Sequence, residues 1–100
     1  MHTSVRGIVN YKDQIVLIHR IKTKDDGTIR DYYVIPGGKI EENESHEEAL
    51  RREIKEELGI EIKIGKLVLE LDDRDYNDSF QYFYECEFES GKLGSGDGPE

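Results

Sequence analysis

The sequence predicts an α/β (α+β) fold in a single domain over residues 1–100, on three observations. Short apolar, β-branched runs lie on both sides of one stretch with helical period. A Pro36-Gly37-Gly38 break separates the first runs from that stretch. The length of 100 residues leaves room for one modest core and no second domain.

The elements follow in order. Val5 to Val9 and Ile15 to Ile21 are β-branched runs, and the polar Asn10 to Gln14 between them predicts a hairpin. Ile15, Val16, Leu17 and Ile18 are apolar without alternation, which predicts a strand covered on both faces. Lys22 to Asp31 is a charged loop around Asp25-Asp26-Gly27, and Tyr32 to Ile35 is a short strand stopped by Pro36. The period then changes. Ala49, Leu50, Ile54 and Leu58 recur at helical spacing, with Ser45 as N-cap and Gly59 as the C-terminal stop. From Ile60 to Leu71 alternation returns, and Gly65 marks a bend or bulge. Phe80, Tyr82, Tyr84, Cys86 and Phe88 alternate with polar neighbours and predict the clearest strand. The end, from Ser90 to Glu100, reads as loop.

Composition narrows the function. With 23 acidic against 14 basic side chains the formal charge is -9, which argues against a nucleic-acid polymer and towards cations as partners. No apolar run approaches the roughly 18 residues of a membrane span, so no membrane partner is expected. One cysteine, Cys86, allows no internal disulfide, and the expected compartment is the cytoplasm.

The acidity is concentrated on the helix. At about 100° per residue, Glu53, Glu56 and Glu57 share a sector beside the Leu50-Ile54-Leu58 stripe. Like charges at that spacing repel and raise one another's pKa. One outcome is a solvated acidic face relieved by Arg51, Arg52 and Lys55. The other is a divalent-cation site, completed by a carbonyl of the Gly37-Gly38 turn and shared with substrate phosphates. Physics alone leaves both open.

The stretch from Gly38 to Ile60 resembles the Nudix box. Gly38, five residues, Glu44, seven residues, Arg52-Glu53-Ile54, one residue, Glu56-Glu57, one residue, then Gly59-Ile60 fill every specified position. Tyr33 to Gly38 resembles the usual strand before the box. The resemblance implies a MutT-like Nudix α/β/α sandwich with a mixed sheet. Such domains run longer and close with a second helix, so the chain is expected to lack that C-terminal helix. An apolar sheet face left uncovered would favour a homodimer.

The resemblance also implies Mg²⁺- or Mn²⁺-dependent hydrolysis of a nucleoside diphosphate-linked small molecule. Glu53, Glu56, Glu57 and the Gly37 carbonyl would hold the metal. Gly38, Glu44, Arg52 and Gly59 would be structural members of the box, with Glu44 paired to Arg52. The base would be Glu53, or alternatively Glu100 on a later loop. Arg20, at a strand end, and Tyr33, near the mouth, are expected to contact substrate. Tyr76 is placed where dinucleoside polyphosphate hydrolases of the family carry a tyrosine. A nucleoside triphosphate or modified nucleotide is the default substrate, and a non-catalytic nucleotide-binding module is the rival. His19 and His46 are expected to be structural or exposed rather than catalytic, and Tyr82, Tyr84 and Phe88 to belong to the core, with base stacking by one aromatic as the alternative.

Overall fold

A computed structural model describes residues 2–95. Strands β1 (His2–Tyr11), β2 (Gln14–Ile15), β3 (Ile18–Thr23), β4 (Ile29–Val34) and β5 (Gly37–Lys39) precede helix α1 (His46–Leu58). Strand β6 (Ile60–Asp73), the single turn α2 (Arg74–Asn77) and strand β7 (Ser79–Gly91) follow it. The main sheet runs β2-β1-β7-β6, with β5 also paired to β1, while β3 and β4 form a separate hairpin. β1 and β7 are parallel, in register from His2 opposite Ser79 to Asn10 opposite Glu87, and the other pairings are antiparallel. A parallel pair needs a long crossover, and α1 lies within this one.

The helix forms where the sequence places it. Glu48 N–H donates to the Ser45 hydroxyl, and Ser45 N–H donates to the Glu48 carboxylate, a reciprocal capping box. Gly59, at φ 76°, closes the other end by donating to the Lys55 carbonyl. Ala49, Leu50, Ile54 and Leu58 are the buried stripe. They pack on Val5 and Val9 of β1, Ile60 and Ile62 of β6 and Cys86 of β7. Tyr82, Tyr84 and Phe88 pack against the edge of that core, on the same side of β7 as Cys86.

Three sequence expectations need correction. The run from Ile15 to Ile21 is not one covered strand. A two-residue turn at Lys12-Asp13, both with positive φ, pairs Gln14 and Ile15 with β1. The chain then leaves the sheet to form β3, and Ile15 and Leu17 remain exposed. The loop after Thr23 is shorter than its charge suggests, because Ile29 to Asp31 pair with β3. Gly37 and Gly38 are a short strand on the edge of β1 rather than a free turn.

The irregularity expected at Gly65 is present, since the β6–β7 register shifts between Ile64 and Leu67. On the sheet face away from α1, Phe83 is buried, whereas Leu69 and Leu71 are about half exposed. Among the described residues no helix lies after β7, and none is long and apolar enough to cross a membrane.

The core makes two expectations measurable. Ile54→Ala should cost about 2–5 kcal/mol in urea unfolding, because its side chain is fully buried between helix and sheet. Burial pushes the Cys86 thiol up to about 12. It should therefore resist a thiol reagent at pH 8 in the folded protein and react once urea unfolds it; rapid labelling of the native state would contradict this packing.

Candidate active site

The acidic sector of α1 faces a cleft of about 460 Å³. Glu53, Glu56 and Glu57 form one wall, and Gly37, Gly38 and Lys39 of β5 form the floor. Arg6 of β1 and Arg20 and Lys22 of β3 supply the cationic part of the lining. A smaller cavity of about 280 Å³ lies beside the Gly65 bulge, against Asn10, Lys63 and Glu87. None of the box carboxylates lines it, so the chemistry is assigned to the first cleft.

Glu57 is the most constrained of the carboxylates, with its side chain only 7% exposed. Its Oε1 accepts from the Gly37 N–H at 2.9 Å, and its Oε2 accepts from Arg20 Nη2 at 3.1 Å. Burial pushes its carboxyl above the ordinary range and the charge of Glu53 adds to that, against the opposing pull of Gly37, Arg20 and Arg6. The two glycines let β5 fit between β1 and the helix. A Cβ on Gly37, at φ 143°, would sit 2.1 Å from the Val5 carbonyl oxygen. One on Gly38 would sit 2.6 Å from the Glu53 carboxylate.

Behind the cleft, Arg52 grips Glu44 with both forks, Nε to Oε2 at 2.6 Å and Nη2 to Oε1 at 2.8 Å. Its Nη2 also donates to the Lys39 carbonyl and its Nη1 to Glu53 Oε1 at 2.9 Å. The guanidinium holds the Glu44 carboxyl down to about 2, and Glu44 in turn raises Arg52. Arg20 Nε is buried with no hydrogen-bond partner among the described residues. A buried donor in that state costs free energy unless an oxygen from ligand or solvent meets it.

The carboxylates suit a hard cation by their chemistry. All are oxygen donors on adjacent helical turns, and burial with like charge already presses on Glu57. Among the described residues, no three acidic, imidazole or thiol groups converge as a ready ligand set. Glu57 is turned onto Gly37 and Arg20, and Glu53 onto Arg52. Glu56, at 45% side-chain exposure, is the most open to the cleft.

The structure thus gathers Glu53, Glu56, Glu57, Gly37, Gly38 and Arg20 around the cleft, with Glu44 and Arg52 behind it and Gly59 at the helix end. Tyr33 is not among them; it is exposed and stacks on His19, whose ring also contacts Asp31. His46 bonds to the Tyr84 hydroxyl near the other end of α1. Glu100 and the side chain of Tyr76 lie outside the described residues.

Arg6, Lys22 and Lys39 are cleft residues that sequence reasoning missed. For Arg6 a signal existed, since it interrupts the apolar run from Val5 to Val9. The lysines carried none beyond their charge.

The family model of the NUDIX domain matches residues 1–100. The chain belongs to the NUDIX family.

This Nudix chain is 38% identical over 64 residues to a CTP pyrophosphohydrolase of Escherichia coli K12, covering 64% of this chain and 45% of that protein. It is 52% identical over 31 residues to an 8-oxo-dGTP diphosphatase of Proteus vulgaris, covering 31% of this chain and 28% of that one. The matched segments therefore span less than half the length of either relative. Among solved structures, an ADP-ribose pyrophosphatase from Streptococcus suis superposes with a TM-score of 0.72 at 23% identity, over 95% of this chain and 66% of that one. The E. coli ORF135 protein does so with a TM-score of 0.71 at 26% identity, over 99% and 69%. Nudix hydrolases generally use divalent metal ions.

The grip of Arg52 on Glu44 has a pH signature. The folded pKa of Glu44, about 2, lies below its ordinary 4.5. The stability it contributes is therefore complete above 4.5 and lost as pH falls towards 2. The difference in unfolding midpoint between the wild type and Glu44→Gln should be large at pH 6 and shrink steadily below pH 4.5. A gap that stays constant down to pH 3 would show that Glu44 does not act through its charge.

Proposed function

We propose that this domain hydrolyses a pyrophosphate bond in a nucleoside diphosphate-linked substrate, with a nucleoside triphosphate or a modified nucleotide as the favoured class. The observation that carries this reading is that one cleft is lined by Glu53, Glu56 and Glu57 and also by Arg20 and Lys22, with Lys39 on its floor. The carboxylates suit a divalent cation and the basic side chains suit phosphate oxygens. The nucleotides in the names of the two relatives support the same class.

Glu53, Glu56, Glu57 and the Gly37 carbonyl would hold Mg²⁺ or Mn²⁺. When bound, the metal supplies charge neutralisation at phosphate oxygens and a lowered pKa for water. Arg20 and Lys22 orient the phosphates. Glu53, held through Oε1 by Arg52, is the candidate base for the attacking water, with Glu100 as the alternative. The water oxygen bonds to phosphorus as the bridging P–O bond breaks, and the leaving phosphate departs with that electron pair. Lys39, on the floor, steadies the negative charge that develops there.

Release of phosphate or pyrophosphate from a panel of nucleotides, with and without Mg²⁺, tests the reading. Glu53→Gln should lower turnover by about 100-fold. Glu56→Gln and Glu57→Gln should each lower it by about tenfold or more, with the circular dichroism of the fold retained. Wild-type turnover in both of the latter would remove the metal assignment. Nucleotide binding without any release would favour the non-catalytic module instead.

A further inference from the structure

The geometry points to Arg6 as a positioning residue that sets the Gly37 peptide against Glu57. This rests on the hydrolytic reading above only for its consequence in turnover. Val5 and Val9 are buried beneath α1, and the alternation of β1 sends the Arg6 side chain to the opposite face of the sheet. From there its Nη1 donates to the Ile35 carbonyl at 3.0 Å and to the Gly37 carbonyl at 3.3 Å. Its Nε donates to Gln81 Oε1 of β7 at 3.2 Å. The carbonyl between those two, that of Pro36, accepts from the Gly7 N–H at 2.8 Å. Three successive carbonyls are thus held from β1, two of them by one side chain.

The residue fixed in this way does two things at the cleft. The Gly37 N–H, on the peptide shared with Pro36, meets Glu57 Oε1, and the Gly37 carbonyl, on the next peptide, is one of the proposed metal donors. The glycine that allows this path has no side chain to lock it, so the restraint must come from outside. A guanidinium can supply it because its planar fork reaches two carbonyls and an amide oxygen together, which a lysine ammonium cannot do in one geometry. A cation partly buried between strands costs free energy, and here Glu57 and Glu53 offset part of that cost. Arg6 therefore acts on the reaction through Gly37 and need not touch substrate.

Arg6→Lys separates this role from general support. In the metal-free protein, the Gly37 amide should exchange with solvent about tenfold faster or more than in the wild type, while the Ile54 amide in the core keeps its rate. With Mg²⁺ and a hydrolysed nucleotide, kcat should fall about tenfold with KM little changed. Equal loosening of Gly37 and Ile54, or an unchanged Gly37 rate, would overturn the proposal. If Arg6→Lys fails to fold, Gln81→Leu removes the Nε partner, together with a 3.5 Å contact to Asp73, and should still raise the Gly37 rate selectively; no change there also overturns it. A wild type that hydrolyses no nucleotide would defeat the functional reading, and the exchange data would still decide the role of Arg6.

Discussion

Arg52 donates from one guanidinium to Glu44, to the Lys39 carbonyl and to Glu53, so a single side chain ties the loop before α1, the strand β5 and the helix itself. Much of the cleft depends on that tie. β5 is only three residues long and lies on an edge of β1. Its own ladder is too short to fix its distance from the helix. Arg52 sets that distance, and the glycines of β5 then let it fit between β1 and the helix. The bidentate contact with Glu44 is the strong part of the arrangement, because charge and planar geometry coincide there.

That tie leaves a cleft in which opposite charges are only partly paired. Glu57 meets Arg20, yet burial and Glu53 still hold its carboxyl above the usual range. The domain keeps a local excess of negative charge on the helix and a separate set of cations in the same cleft. In water this would be an inefficient way to stabilise a small fold, since buried pairs seldom repay their desolvation. It is economical for a ligand that carries both signs.

The helix was legible because every local signal agrees: capping serine, apolar stripe, C-terminal glycine and box residues all specify one segment. The long strand β7 was legible for the same reason, through a strict two-residue period. The strands β2 and β3 were not, because Ile15 to Ile21 is apolar enough for a covered strand while the actual constraint is a tight turn at Lys12-Asp13. Nor does any local pattern announce that β1 lies parallel to β7, some seventy residues later in the chain. At the site, Glu53, Glu56 and Glu57 follow from helical geometry alone. Arg20, Lys22 and Lys39 come together only through tertiary folding, and Arg6 is reached by a side chain crossing beneath an edge strand. Such contacts have no sequence period to reveal them.

Net charge can mislead when it is taken over a whole surface. A chain at -9 should repel a polyphosphate, and a bare one approaching the helix wall would meet three carboxylates. A phosphate carrying a divalent cation presents a different object, positive towards the glutamates and negative towards Arg20 and the lysines. Acidity elsewhere on the surface then has a small effect, since charges beyond about 10 Å are largely screened at ordinary salt. On the proposed reading, a metal-loaded phosphate would meet the helix carboxylates and the unpartnered Arg20 Nε together.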